Sequence, residues 1–278
     1  MMPHRTSVLH AVGVLIDGGV PLYVHRLAKA QVDSGQRPII ACDTNSYMWQ
    51  LIERDGAGIE RVPWSSPSLR PQRLQRSYRS LTSVLAAYQP DVLHLHSSLS
   101  GLVGRMRSNE QRAVVFQPHA WSFNALARQM RRIGCLYESH AAERADMVLC
   151  GSTDEAAEGR NAGVKVPLTV VPNAVDLELF VPVPVHERKL LKQELLGEDP
   201  GGPIVVSVGR LANQKGGFCL LDAWDHVTKL HPDARLIMVG DGPLRDELVQ
   251  RAAPTVRFVG SSTDPCSWHQ IADLSVYA

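Results

Sequence analysis

The sequence has few of the residues that build disulfide or zinc frameworks. Its 278 residues include five cysteines, an odd number, and these are widely spaced and form no CxxC pair. This pattern indicates neither a disulfide framework nor a zinc site. We therefore expect buried free thiols in a reducing compartment, at Cys42, Cys135, Cys150, Cys219 and Cys266.

Long apolar runs are also missing. No stretch approaches the roughly 18 apolar residues that a membrane span requires. The apolar start of the chain is interrupted by His10 and is not followed by a small-residue cleavage pattern. We expect a cytoplasmic protein whose membrane contact, if it has one, is peripheral.

Charge of one sign is not in excess either. With a formal net charge of +1 and 21% charged residues, the composition is typical of a globular protein and not of a wholesale nucleic-acid binder. The two parts of the chain differ, because residues 1–173 carry 19 Lys and Arg against 14 Asp and Glu, whereas residues 174–278 carry 10 against 14. An anionic partner would prefer the first part.

Short apolar, β-branched runs alternate with segments of helical period. Such an alternation indicates a parallel sheet covered by helices on both faces. Strands are predicted at residues 7–15, 38–42, 59–64, 91–96, 113–117, 147–150, 168–171, 204–208, 235–239, 256–259 and 274–277. Linker-like stretches at 181–185 and 197–202 interrupt the rhythm. The predicted fold class is α/β, with Rossmann-like, doubly wound parallel-sheet domains at 1–178 and 179–278, the second incomplete.

The helix predicted at Pro71–Tyr88 is amphipathic, with Arg73, Arg76 and Arg79 fanned across the face opposite its leucines and tyrosines. No Asp or Glu occurs in residues 61–90, so the arginines lack the intrahelical partners that would balance them. Two interpretations remain open. The face is an ordinary solvated surface, or it docks on anionic lipid or an anionic acceptor.

Two basic residues among glycines follow one predicted strand, in the segment GRLANQKGG at 209–217. Ligands of doubly wound sheets bind beyond the carboxyl ends of strands, where helix N-termini offer free amides. Arg210 supplies a planar fork for phosphate oxygens and Lys215 a mobile charge, so the pair suits a diphosphate. Two solvated loop charges are the alternative for a motif of this kind.

A second glycine turn, Gly18 and Gly19 in DGGVP, precedes the first predicted helix. It would let a ligand approach the backbone, although a plain tight turn has the same sequence. The segment is not GxGxxG, so a nicotinamide cofactor is not predicted.

Three histidines lie at the carboxyl ends of two strands, namely His94 and His96 in DVLHLHSS and His119 in FQPHAWSF. A histidine at such a place can be a catalyst, although packing or hydrogen bonding is the more common role. No Asp, Glu or Cys shares their spacing, so we predict no metal site.

Taken in order, several motifs resemble the retaining glycosyltransferases of family 4, which have two Rossmann-like domains facing each other across a cleft, the GT-B fold. The motifs are GGV at 18–20, DVLHLHSS at 91–98, QPHAWSF at 117–123, ERADMVLCGSTDE at 143–155, VVPNAVDLELF at 170–180, VVSVGRLANQKG at 205–216, MVGDGPLRDEL at 238–248 and VRFVG at 256–260. Each motif is loose, but their collinearity over nearly the whole chain is specific.

The resemblance implies roles for individual residues. Arg210 and Lys215 would hold the diphosphate of a nucleotide sugar together with the amides of Gly18 and Gly19, and His119 would lie near the transferred sugar. Preorganised cations and amides would stabilise charge on the leaving diphosphate without a cofactor or metal ion. The implied enzyme is a retaining hexosyltransferase that moves a sugar to an unknown hydroxyl acceptor, in glycan, polysaccharide or glycolipid synthesis.

The sequence departs from the family pattern in three places. The family's HG reads His119-Ala120, and its PNG reads PNA at 172–174. Its E-x7-E segment, whose carboxylates hold the donor sugar and the ribose, would follow residue 278, so we expect a truncated copy with little transferase activity. A catalytically silent GT-B partner subunit and a sugar-nucleotide epimerase remain as alternatives.

Overall fold

The computed structural model describes residues 5–15, 18–106, 112–197 and 201–278. Two predicted features fall partly outside these residues: Asp17 of the DGGVP turn, and residues 198–200 of the second linker-like stretch. The chain divides into two compact units, Met1–Asn173 and Ala174–Ala278, and the division lies close to the boundary expected after residue 178.

The first unit is built on a parallel sheet of seven strands in the order β3-β2-β1-β4-β5-β6-β7. The strands are β1 Ser7–Val12, β2 Arg37–Cys42, β3 Glu60–Pro63, β4 Val92–His96, β5 Ala113–Gln117, β6 Met147–Cys150 and β7 Leu168–Val170. The helices are α1 Gly19–Asp33, α2 Tyr47–Asp55, α3 Pro71–Tyr88, α4 Ser98–Arg105, α5 Arg131–Ala142 and α6 Thr153–Asn161. The predicted α/β class is confirmed, and the strand order reverses between β1 and β4, where such sheets form a ligand crevice.

Side chains alternate between the two faces of this sheet. Leu9 and Leu95 belong to the larger apolar core, which also contains Leu81 of α3. Val12 and Ile40 belong to a smaller core on the other face, under α1 and α2. Because His10 lies between Leu9 and Ala11, its side chain is on the α1 side of the sheet.

The first strand is shorter than predicted. It ends at Val12, not at residue 15, because the chain leaves the sheet at Gly13. The Gly13 amide donates to Ser100 Oγ at 2.8 Å, and a Cβ at Gly13 would lie 2.8 Å from both Ser100 Oγ and the ring of Pro67. Glycine is the residue that fits this close approach without displacing Ser100 or Pro67.

Helix α3 divides as its sequence predicts. Leu81 and Leu85 are buried, and the partly buried Leu74, Tyr78 and Tyr88 pack against the same core. Arg73, Arg76 and Arg79 are exposed. Helix α3 packs on α4, and α4 packs on α5, so these three helices lie side by side on one face of the sheet.

The second unit contains a parallel sheet of four strands in the order β10-β9-β8-β11. Its strands are β8 Ile204–Val208, β9 Arg235–Val239, β10 Val256–Gly260 and β11 Leu274–Ser275. Its helices are α7 Val185–Leu196, α8 Gly217–Leu230, α9 Arg245–Arg251 and α10 Pro265–Ile271. Strand β8 is central, so the segment after it, GRLANQKGG, starts from the middle of the sheet.

The expectation of buried cysteines is wrong for Cys219. This residue is exposed and Cys135 is half-buried, whereas Cys42, Cys150 and Cys266 are buried, and all five thiols are free. Cys219 lies on α8, whose buried stripe consists of Gly217, Leu220, Leu221 and Trp224. Position 219 falls beside this stripe and faces solvent.

Candidate functional site

A pocket of about 120 Å³ lies where β8 leads toward α8. Arg210 and Lys215 line it, together with Ser207, Val208, Gly209, Leu211, Ala212, Gln214, Gly217, Met238, Tyr277 and Ala278. The loop is tied to the segment after β9, because the Gly209 amide donates to Val239 O and the Leu211 amide to Asp241 O, both at 2.9 Å. The structure therefore places both predicted cations at the carboxyl edge of the sheet.

The cations in this pocket have no protein counter-charge. Arg210 and Lys215 are exposed, and neither forms an ion pair with a carboxylate in the part of the chain that the structure describes. Gly216, with φ of 58°, adopts the left-handed conformation that starts α8, a helix without a side-chain cap. Uncapped amides, the helix dipole and two exposed cations are the groups that an anion with about two negative charges would require.

The glycine turn before α1 is exposed. Gly18 and Gly19 are exposed, and a Cβ atom added to either would meet nothing within 4 Å. Helix α1 begins there with no side-chain cap and no acidic residue in its first turn. The glycines are not required by packing against other residues, and among the described residues no side chain caps the first amides of α1.

His119 follows β5 in a strained backbone conformation. Its φ is 54°, in the left-handed region that a non-glycine residue adopts at a cost, and such strain is common at functional sites. The half-buried ring lines a pocket of about 400 Å³ with Ala120, Asn124, Gly151, Ser152, Asp154, Glu155, Glu158 and Asn173. Burial lowers the pKa of His119 from 6.5 to about 4, so the ring is neutral at pH 7.

The sequence did not identify His10 as a member of the histidine group. In the parallel register His10 of β1 lies beside His94 of β4, and the alternation of side chains brings His96 to the same face. His10 Nδ1 is 3.0 Å from His96 Nε2, and His96 Nδ1 is 3.0 Å from His119 Nε2. On its other side, His10 Nε2 is 2.8 Å from Oε1 of Gln31 on α1. The sequence feature that could have identified His10 was a histidine within an apolar strand, because a buried polar group there needs a hydrogen-bond partner.

Burial keeps these imidazoles neutral. It lowers the pKa of His10 to about 4 and holds the pKa of both His94 and His96 well below 6.5, with the neighbouring histidines adding repulsion in the last two cases. His94 Nε2 is buried without a hydrogen-bond partner. Because this nitrogen has no partner, His94 is the least completely hydrogen-bonded ring of the group.

The same rings offer three nitrogens for a metal ion. One nitrogen each from His10, His94 and His96 lies within 4.8 Å of the others. Two of these residues already share a hydrogen bond, between His10 Nδ1 and His96 Nε2, and a metal ion bound at either nitrogen would replace that bond. The geometry fits shared protons better than a metal ion, and the absence of a metal site stays a prediction.

The loop that carries His119 is held by buried polar contacts. Trp121 Nε1 donates to Glu155 O at 2.7 Å, and Ser122 Oγ donates to Glu138 Oε1 at 2.5 Å. Glu138 also accepts from Arg105 Nη2 at 2.8 Å, in an ion pair whose side chains are 0% and 1% exposed. Helices α4 and α5 therefore fix the loop through one charged pair.

Family models match most of the chain. The model for Glycosyltransferase Family 4 matches residues 17–179, and the model for Glycosyl transferases group 1 matches residues 202–278. The first of these covers more than half of the 278 residues.

Relatives with assigned activities are glycosyltransferases. The chain is 28% identical over 184 residues to UDP-Gal:alpha-D-GlcNAc-diphosphoundecaprenol alpha-1,3-galactosyltransferase of Escherichia coli. The alignment covers 62% of this chain and 46% of that protein. The chain is also 24% identical over 263 residues to alpha-monoglucosyldiacylglycerol synthase of Streptococcus pneumoniae. That alignment covers 85% of this chain and 56% of the synthase. The chain thus spans about half the length of the curated relatives it matches.

Solved structures share the fold. The Anabaena protein HepE in complex with UDP and glucose aligns with a TM-score of 0.79 at 21% identity, over 99% of this chain and 74% of that one. Sucrose-phosphate synthase from Thermosynechococcus elongatus aligns with a TM-score of 0.78 at 21% identity, over 98% of this chain and 75% of the synthase chain. At this identity the similarity establishes the fold class.

Proposed function

The chain belongs to glycosyltransferase family 4, and from this membership we propose that it transfers a sugar from a nucleotide-diphosphate sugar to an acceptor hydroxyl. We assign Arg210 and Lys215, and the amides at Gly18 and Gly19, to the donor diphosphate and His119 to the transferred sugar. The transfer retains the anomeric configuration and needs no metal ion or cofactor. The relative from Escherichia coli is named for UDP-Gal, and HepE was crystallised with UDP and glucose, which supports a nucleotide sugar as donor.

The pocket after β8 carries this proposal. It concentrates two exposed cations, Arg210 and Lys215, at the N-terminal end of α8 and gives them no carboxylate partner among the described residues. Breakage of the glycosidic bond leaves charge on the departing diphosphate. Cations and amides that are already in position stabilise that charge more than the ground state, and so lower the barrier.

Retention follows if the acceptor hydroxyl attacks from the side that the diphosphate leaves. The departing phosphate oxygen then takes the hydroxyl proton, so that the new glycosidic bond forms as the old one breaks. In this scheme His119 does not exchange protons. Its neutral ring, with a pKa near 4, holds the sugar by hydrogen bonding.

Calorimetry tests the donor site directly. UDP, GDP and ADP are titrated into the parent chain and into the Arg210→Ala, Lys215→Ala double variant. Each charge-assisted contact is worth about 1.5 to 3 kcal/mol, so the double variant should bind the preferred nucleotide at least about tenfold more weakly. Lys229→Ala, at the other end of α8, is the matched control and should bind like the parent. Equal affinity in parent and double variant would show that the site is wrongly assigned.

Product analysis separates the three candidate functions. A glycosyltransferase releases the nucleoside diphosphate as it passes the sugar to an acceptor or to water, whereas an epimerase changes the sugar while it stays attached to the nucleotide. A silent partner subunit binds the nucleotide and converts nothing. These assays are run on the 278-residue chain and on a chain extended by an E-x7-E segment of a family member.

We also propose that the acceptor is presented at an anionic membrane surface on the cytoplasmic side. On α3, Arg73, Arg76 and Arg79 are exposed and form no ion pair within the described ranges. The five free thiols fit a reducing compartment. No helix in the described parts of the chain is long and apolar enough to cross a bilayer, so we propose contact at the surface.

Helix α5, the second neighbour of α3 on this face, supports the membrane proposal. Its solvent side exposes Ile133 and Leu136, at 57% and 70%, and the segment before it exposes Met130 at 47%. The arginines Arg131 and Arg132 lie beside these apolar groups and are exposed too. Exposed apolar side chains flanked by arginines are typical of helices that lie in a membrane interface.

Vesicle sedimentation distinguishes the contribution of the α3 arginines from that of the exposed apolar residues of α5. Each arginine near an anionic membrane contributes roughly 1 kcal/mol, so changing Arg73, Arg76 and Arg79 to Gln should abolish sedimentation with anionic vesicles at low salt. Changing Ile133 and Leu136 to Ser should weaken binding at low and high salt alike, because apolar burial is not screened. Equal sedimentation of the parent and both variants would rule out this surface.

A further inference from the structure

We propose that Gln31, His10 and His96 are positioning residues that fix the tautomer of His119, with hydrogen on Nε2 and a bare Nδ1. The four side chains form one continuous row of hydrogen bonds, from α1 through β1 and β4 to the loop after β5. The successive distances are 2.8, 3.0 and 3.0 Å. The tautomer follows from the direction of these bonds, and its effect on the donor sugar rests on the proposed function.

The direction is set at the Gln31 end. Its Oε1 faces His10 Nε2, and an amide oxygen only accepts hydrogen bonds, so the proton of His10 is on Nε2. A neutral imidazole has one N–H, which leaves His10 Nδ1 as an acceptor. His96 must therefore donate from Nε2, which leaves His96 Nδ1 to accept from His119 Nε2. The bare nitrogen of His119 is Nδ1.

The surroundings couple the hydrogen bonds of this row to one another. His10 and His96 are fully buried, at 0% exposure, so water does not offer alternative partners to their ring nitrogens. Tyr23 of α1 packs edge-on against His119, with ring centroids 5.2 Å apart, and limits rotation of that ring. Reversing one bond alone would place two donors or two acceptors face to face, which costs the desolvation penalty of an unpaired buried group, so the row can reverse only as a whole, with the Gln31 amide turned.

A bare Nδ1 has a chemical consequence for the pocket beside His119. It accepts a hydrogen bond, so the ligand group that it selects is a donor such as a sugar hydroxyl. The opposite tautomer would select an acceptor, such as a carbonyl or carboxylate. Gln31, on α1, would thus decide which polar group His119 holds.

Nuclear magnetic resonance reads the tautomer without substrate. Long-range ¹H–¹⁵N correlation on histidine-labelled apo protein at pH 7.5 distinguishes protonated ring nitrogens from bare ones. We expect the protonated shift at Nε2 of His10, His96 and His119, and the bare shift at each Nδ1. The bare shift at His119 Nε2 in the parent chain would overturn the proposal, and this outcome requires no variant to fold.

Two variants of Gln31 test whether this residue sets the tautomer of His119. Gln31→Leu removes the terminal acceptor, so the His119 nitrogen shifts should move toward the average of the two tautomers. Gln31→Glu places carboxylate oxygens, which only accept hydrogen bonds, where the amide oxygen stood, and should preserve the parent pattern. A Gln31→Leu spectrum identical to that of the parent would show that Gln31 does not set the tautomer.

Zinc addition tests whether the ring nitrogens of this histidine cluster bind a metal ion instead of forming the hydrogen-bonded row. Spectra are recorded after chelator treatment and again with one equivalent of Zn²⁺. Unchanged shifts at His10 and His96 support the hydrogen-bonded row, whereas a zinc-dependent change at both residues would overturn it in favour of a metal site. Because the measurement uses no nucleotide sugar, its failure is distinct from a failure of donor binding by the Arg210 and Lys215 variants.

Discussion

Acidification should destabilise the first unit well above the pH at which carboxylates protonate. The four clustered histidines are neutral in the folded unit, and the pKa of His10 and of His119 is lowered from 6.5 to about 4. The unfolded chain therefore binds protons first as the pH falls. The stability that the neutral rings contribute is complete above pH 6.5 and is lost progressively between 6.5 and 4.

The size of the loss follows from these pKa values. Over the range from pH 7.5 to 5.5, linkage gives a loss of roughly 1 kcal/mol for each histidine with a folded pKa near 4. His94 and His96, whose pKa values burial also holds well below 6.5, add losses of the same sign. The lowered carboxyl pKa values of Asp55 and Asp273 act only below about 3.8, outside this window. Even the losses from His10 and His119 alone are a substantial fraction of the stability of many domains.

Hydrogen exchange at several urea concentrations measures this effect where it arises. Mass spectrometry of peptides from β1 and β4, at pH 7.5 and 5.5 with correction for intrinsic exchange rates, gives the unfolding free energy of the sheet. His94→Leu removes one titrating ring whose Nε2 has no partner, so the pH dependence should fall by about one proton. His140→Leu, at a position that is 74% exposed and outside the histidine cluster, is the control. Equal unfolding free energies of β1 and β4 at the two pH values would refute the reasoning.

Three substitutions test packing and access around the sites. Gly159→Ala should lower the unfolding free energy by about 1 to 3 kcal/mol in urea titrations, because its Cβ would lie 2.5 Å from Trp121 Cζ2; unchanged stability would contradict this packing. Glu138→Gln should cost about 3 to 5 kcal/mol, since it leaves Arg105 charged and unpaired in the core, and a loss below about 1 kcal/mol would argue against the buried pair. Gly19→Ala meets no protein atom, so it should preserve stability yet weaken nucleotide binding in calorimetry; parent-like affinity would remove Gly19 from the site.

The fold was predictable because its signals are local. Apolar β-branched runs define the strands, and the bounds of β5, β6, β8 and β9 are those predicted from sequence. The cations of the second unit were found for the same reason, since Arg210 and Lys215 belong to one short segment after one strand. Their assignment to a diphosphate stays a prediction.

The histidine row could not be predicted because it depends on register. His10 and His96 are 86 positions apart, and only the pairing of β1 with β4 brings them together. The ion pair of Arg105 and Glu138 has the same origin, with its members on two helices that meet in the folded unit. The spacing of such residues along the chain carries no information about their contact.

The strand order also determines how this chain emerges during synthesis. Strand β1 is central, yet its second neighbour, β4, follows far along the chain, with Val8 paired to Val92. At a ribosomal rate of about 5 to 20 residues per second, roughly 4 to 17 seconds separate the two strands. During that interval β1, β2 and β3 are complete, but the β4-facing edge of β1 offers unpaired backbone groups to any other extended segment. Slow codons between residues 64 and 91 would lengthen this exposure, and chaperones that bind nascent apolar strands would find their target there.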